Sequence, residues 1–356
     1  MDRKTTARWA LVALSLALLF APRAMAGKSE LIFQIEDPRG DDHGDGRLQY
    51  PARTEFAEGD FDLLTFAARR VKGGTQFEAV FANPVRRAER GAIDDLGTSM
   101  TEVARNGFYT FNVDVYIDTD RVEGSGGLGT LPGRKAEIRA DHAWDRAVIL
   151  TPMPTEAAKA LERMMLRSLT RDLRTGNYDE DVTGALLLKR RIPADLDRRV
   201  FFPTRVRVRG QKICFFVPDA FLGGPAKSDW SYVVVVSGTD LVQSFDISAS
   251  FGLAESREDE LMILPISPGR WKNRFGGGRE LEELQPPLVD ILVPEGESQE
   301  RILGSFSTAR NRPVELLGVV PIEHLRSQRR EPSAEPASGD GKPPERAKKR
   351  SVAALR

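Results

Sequence analysis

Phe111-Asn112-Val113-Asp114-Val115-Tyr116-Ile117-Asp118 is the stretch on which the reading of this chain turns. Phe111, Val113, Val115 and Ile117 alternate with Asn112, Asp114 and Tyr116. A period of two sends the first set to one face of a strand and the second to the other, as in a half-buried antiparallel strand. Leu31, Phe33 and Ile35 repeat the pattern, as do Phe77, Ala79 and Phe81. The runs at 213–217, 232–236, 288–293 and 316–320 are more uniformly apolar, which suits central strands buried between layers. Gly, Pro and Asp clusters such as 124–129 and 276–278 separate the runs. Many short strands punctuated in this way predict a mainly β protein built as a sandwich.

One helix interrupts the strands. From about 155 to 174, Leu161, Met164, Met165, Leu169 and Leu173 recur at three- and four-residue steps, opposite Glu162, Arg163 and Arg167. The stripe is read as packing against the sandwich, with a partner surface as the alternative. The segment 178–203, rich in Arg and Asp, is read as an extended loop returning to the sheet. Helix and charged loop together occupy about 155–203.

The two ends differ from the rest. Arg3, Lys4 and Arg8 precede an apolar run at 9–21, and Ala24-Met25-Ala26 follows. That order is a secretory signal, residues 1–26, with cleavage after Ala26 and an uncleaved anchor as the alternative. Export to the periplasm or the exterior is expected, with no transmembrane anchor after cleavage. The sandwich is expected over 27–325, and 326–356 reads as a disordered, basic, Pro- and Ser-rich tail. Lys+Arg and Asp+Glu each number 52, so the net charge is zero and no field exists to collect nucleic acid. Cys214 is the single cysteine, which excludes an intrachain disulfide and reads as a small buried hydrophobe.

Three spaced stretches carry a family resemblance. The first contains Ile35-Glu36-Asp37-Pro38, Asp41-Asp42-His43-Gly44-Asp45-Gly46, Tyr50-Pro51 and Gly59-Asp60-Phe61-Asp62-Leu63. The second contains Val115-Tyr116-Ile117-Asp118-Thr119-Asp120, Leu131-Pro132-Gly133 and Trp144. The third contains Trp230-Ser231-Tyr232, Trp271, Phe275-Gly276-Gly277-Gly278, Val289-Asp290-Ile291-Leu292 and Pro294. In this order they resemble the glucodextranase C-terminal module, a carbohydrate-binding DOMON-like family also associated with amylopullulanases. The resemblance runs from about Leu31 to Val320. It implies an immunoglobulin-like or DOMON-like antiparallel β-sandwich, here with one inserted helix. It also implies a role in holding a polysaccharide such as an α-glucan. A glycoside hydrolase served by it is expected to be a separate chain, because no hydrolase pattern accompanies the module in this sequence; an envelope protein is the other expected partner class.

Residue chemistry supplies the candidate sites. Asp37, Asp41, Asp42 and Asp45 lie in a glycine-rich loop and offer hard oxygen ligands suited to Ca²⁺. Asp118 and Asp120 make a second candidate, alone or joined with the first loop. The competing reading is that these side chains cap local backbone N–H groups. A sugar presents apolar C–H faces that stack on flat rings, so a site exposes Trp or Tyr. Tyr116, Trp230 and Trp271 are the ligand-binding candidates, with Tyr50, Tyr109 and Trp144 weighed beside them. Tyr116 would share an outer face with Asn112 and Asp114.

Catalysis is not expected. His43, His142 and His324 form no H-E-x-x-H pattern, and Gly276-Gly277-Gly278 lacks the Lys and Ser/Thr of a phosphate loop and reads as a tight turn. Two rival readings come from other classes. One is a DOMON-like heme-binding electron-transfer protein, with His142, Met153 and Met262 as conceivable ligands. The other is an envelope protein-interaction module using the inserted helix.

Overall fold

The N-terminal strands are β1 (Glu30–Glu36), β2 (Leu63–Val71) and β3 (Gly74–Phe81), followed by β4 (Phe111–Asp118), β5 (Ala136–Ile138) and β6 (Arg146–Leu150). Two helices, α1 (Pro154–Arg174) and α2 (Val182–Arg199), lead to β7 (Val200–Phe201), β8 (Val206–Arg209) and β9 (Lys212–Pro218). A short helix α3 (Asp219–Leu222) precedes β10 (Ser231–Gly238); β11 (Asp290–Ile291), helix α4 (Gln299–Leu303) and β12 (Val314–Leu316) complete the order. This computed structural model describes residues 29–88, 104–175, 182–239, 263–278, 285–307, 310 and 312–323. The predicted signal at 1–26, the tail at 326–356, Met262 and His324 lie outside the described residues.

One sheet has the order β1-β2-β3-β9-β8, with every neighbouring pair antiparallel. The other has the order β11-β10-β4-β6-β7 and is antiparallel except where β7 lies parallel to β6. A parallel pair, β5 and β12, forms a small third sheet. The predicted mainly β sandwich is the observed fold.

The main core is the space between the two large sheets. Phe33, Phe66, Phe77 and Phe215 from one sheet meet Phe111, Val113, Val115, Tyr232 and Val234 from the other. Ring centroids of Phe33 and Tyr232, and of Phe81 and Phe111, approach to 4.7 Å across it. Burying side chains of this size supplies about 1.5–3 kcal/mol each toward folding.

β4 departs from its predicted half-burial, because every residue of it is buried. The far face of the second sheet carries its own core. Tyr116, Ala147, Ile149, Val233, Val235 and Ile291 of that sheet pack there with Ala157, Ala160 and Leu161 of α1 and with Ile302 and Leu303 of α4. Ala136, Ile138, Val314 and Leu316 of the third sheet close the same cluster. Alternation in the sequence distinguishes two faces of a strand; it does not reveal that a second layer covers the polar one.

The charged segment 178–203 is likewise corrected. Instead of an extended loop, most of it is α2, so the sandwich carries two long inserted helices rather than one. Pro193 lies inside α2 and conceals the helical signal. Ile192 is buried, and Leu196, four residues on, packs against the second core, which gives the helix an inner face. Through α1 and α2 the chain crosses over and returns to the same sheet, which is why β7 runs parallel to β6.

Candidate functional site

Trp271 is the aromatic candidate that the fold offers to solvent, with 65% of its surface exposed. It sits on a turn fastened by backbone hydrogen bonds on both sides. The Trp271 N–H donates to Arg274 O at 3.2 Å, and Ala52 N–H donates to Trp271 O at 3.0 Å. Just beyond, Gly276 and Gln49 exchange both backbone hydrogen bonds. Gly277 has φ +93°, and a Cβ there would lie 2.0 Å from Arg47 O. The three glycines are therefore the tight turn expected of them, made necessary by close backbone approach.

The remaining aromatic candidates serve the interior. Trp230 is buried in the main core under Lys227, whose Nζ lies 5.5 Å from the ring centre. Tyr116 does not face outward as expected. It is 1% exposed, its hydroxyl accepts from Leu131 N–H at 2.9 Å and donates to Asp114 at 3.2 Å, and Trp144 packs beside it. Trp144 is itself buried and donates from Nε1 to Gly129 O at 3.0 Å. Tyr50 and Tyr109 are also buried, and the Tyr50 hydroxyl donates to Asp42.

Asn112 and Asp114, the other members of the expected outer face, are both buried; Asn112 donates to Gly238 O at 3.4 Å, and Asp114 is covered by the loop before β5. Arg134 of that loop, 1% exposed, binds Asp114 through Nε at 2.6 Å and through its second guanidinium nitrogen at 3.0 Å. This bidentate ion pair makes burial of a charged strand face tolerable.

Four acidic loop residues behave in two ways. Asp42 accepts from Gly59 N–H at 2.7 Å and from Tyr50, and Asp45 pairs with Arg47. Both are occupied in fastening the loop; Asp45 also caps a local N–H, that of Arg47 at 3.3 Å, whereas Asp42 reaches partners further along the chain. Asp37 and Asp41 instead point toward Asp290, and one carboxylate oxygen from each of the three lies within 4.8 Å of the others. Sequence analysis did not select Asp290 as a site residue. A signal was present, since Asp290 is the one polar residue in the buried run 288–293.

The backbone explains this convergence. Asp37 follows the end of β1, and its N–H donates to Leu64 O at 3.1 Å. Gly44 N–H donates to Val289 O at 2.9 Å, docking the loop on the start of β11. The buried Gln299 side chain accepts from Ile291 N–H at 2.6 Å and donates to the carbonyls of Asp41 and Gly44. Like-charged, buried groups result. Burial first, then the charges of Asp41 and Asp62, push the Asp37 carboxyl up to about 9. Burial raises Asp41 to about 6 and holds Asp290 well above the usual carboxylate range.

Asp118 and Asp120 join Asp145 in a second cluster, separate from the first. Here local donors absorb many of the oxygens. Asp118 Oδ1 accepts from the N–H groups of Asp120 and Arg121, Asp120 from Val122 and Ser125, and Asp145 from Thr119.

His142 and Met153, weighed above as iron ligands, are engaged elsewhere. His142 is 8% exposed with Nδ1 2.8 Å from Ser231 Oγ, and Met153 packs against the second core. No described helix is long and apolar enough to cross a membrane.

Fold and surface together define a layered β-sandwich with one exposed tryptophan turn and acidic loops at its edge. The family model for the C-terminal binding module, SLH-like, of glucodextranase matches residues 32–318, and the chain belongs to that family. The match takes in both large sheets and the inserted helices. No curated protein matches the chain.

Proposed function

We propose that this protein is an exported, non-catalytic carbohydrate-binding module for an α-glucan or a related polysaccharide. The observation that carries the reading is the match of the binding-module family over residues 32–318. The exposed Trp271 ring on a fastened turn supports it, because a flat ring held in place can stack on the apolar face of a sugar at little entropic cost. The positive, apolar, small-residue order of 1–26 supports export.

Calorimetric titration of the purified protein with soluble α-glucans tests the reading. Saturable heat is expected, and Trp271→Ala should weaken binding about tenfold or more. Absence of heat across a broad glycan panel, with the protein folded, would sink the proposal. N-terminal sequencing of protein recovered after expression in an exporting host should begin at Gly27.

A further inference from the structure

The Asp37, Asp41 and Asp290 cluster is incomplete as a purely protein structure. Asp290 is 0% exposed, and its Oδ2 accepts from Leu63 N–H at 2.6 Å while Oδ1 has no hydrogen-bond partner. Both oxygens of Asp37 and Oδ1 of Asp41 are also buried without a hydrogen-bond partner of ordinary geometry. Asp62, whose Oδ2 accepts from Gly40 N–H at 2.8 Å, leaves its Oδ1 unpartnered close by in the same loop system. A buried oxygen left unpaired is costly, and more so when charged. Three such carboxyl groups converging, with Asp62 in the adjoining loop, offer oxygens to a cation.

We propose that Asp37, Asp41 and Asp290 hold a single Ca²⁺ ion that pins the two large sheets together at their shared edge. Ca²⁺ binds six to eight oxygens at about 2.3–2.6 Å, so oxygens on opposite sides of the ion stand roughly 5 Å apart. The three carboxylate oxygens here lie within 4.8 Å of one another, inside that span. Their placement gives the ion its structural role. Asp37 directly follows β1, the edge strand of one sheet, and Asp290 opens β11, the edge strand of the other. The ion joins these edges through the Asp41 loop that Gln299 already ties to β11. This assignment drops Asp42 and Asp45 from the predicted ligand set, because their oxygens bond to Gly59, Tyr50 and Arg47. It does not depend on whether a glycan binds.

Chelator-treated protein should take up one Ca²⁺ per chain in a calorimetric titration with CaCl₂. Its melting temperature should rise with Ca²⁺ concentration, by about 5 °C at Ca²⁺ a hundredfold above Kd. Asp290→Asn keeps the acceptor for Leu63 N–H but removes a ligand, and should weaken Ca²⁺ binding at least about tenfold. Asp120→Asn, in the other acidic cluster, should leave stoichiometry and affinity unchanged. If Asp290→Asn does not fold, Asp37→Asn supplies the same comparison. Three results would overturn the proposal. One is no Ca²⁺ heat or melting shift in the wild type, with Asp290→Asn as stable as its parent, which would mean that the carboxyls are simply held protonated. Another is Ca²⁺ binding abolished by Asp120→Asn and kept by Asp290→Asn. The third is an equal response to Mg²⁺, which would remove the assignment to Ca²⁺.

Discussion

Arg134 and Asp114 lie twenty positions apart in the sequence, and neither alone announces a buried ion pair. The guanidinium also donates to Pro132 O at 3.0 Å, so it organises its own loop while covering the strand. Arg134→Ala would strand the Asp114 carboxylate in the interior and should destabilise the protein by about 3–5 kcal/mol, read from urea denaturation. His142 offers a pH test. Burial holds its imidazole below the usual histidine value, against the opposite pull of Asp141. Arg139, Arg121 and Glu323 act on it as well, and Ser231 bonds it. The folded protein therefore resists protonation at this site. Its contribution is complete above about pH 6.5 and is lost as pH falls from there through the lower folded value. Between about pH 7.5 and 5, His142→Gln should lose less melting temperature than the wild type does; parallel curves would refute this. At this scale the sequence revealed residue chemistry but not partners. Asp37 and Asp41 were legible as candidate ligands, whereas Asp290 was hidden by more than two hundred intervening residues.

The elements vary in how much of themselves they disclose. β10 shows as an apolar run because both of its faces are covered, Tyr232 and Val234 by one core and Val233 and Val235 by the other. α1 shows through its three- and four-residue steps, and its Leu161 is buried as expected. α2 was missed because Pro193 and a dense set of arginines and aspartates mimic a loop, while the contacts that hold it come from the second core. The 276–278 turn was legible, and its backbone shows why. Gly277→Ala combines a positive φ with a Cβ placed 2.0 Å from Arg47 O, and should cost about 2 kcal/mol or more. Faster amide exchange at Gln49 and Gly276, which pair across this turn, would locate the damage.

Across the whole molecule, the packed interior and the proposed recognition surface lie in different places. Phe77 is fully buried between Phe66 and Phe215, with ring centroids at 5.5 and 5.7 Å. Phe77→Ala should remove about 3–5 kcal/mol of stability in chemical denaturation. Trp271, exposed on its turn, should tolerate alanine within about 0.5 kcal/mol while glycan affinity falls. A loss of affinity accompanied by an equally large loss of stability would show that Trp271 is a structural residue of the turn.

The sequence by itself determined the β class, the positions of β1, β3, β4, β9 and β10, the first helix, the glycine turn and the family. Each depends on local period, composition or ordered motifs, which a chain displays before it folds. Only the tertiary structure decided which polar residues are buried, since a strand's pattern separates its two faces without saying what covers either. Tyr116 and Asp114 thus became interior, and Trp271 remained outside. The meeting of Asp37, Asp41 and Asp290 was likewise decided by packing, because it requires the edges of two sheets to come together.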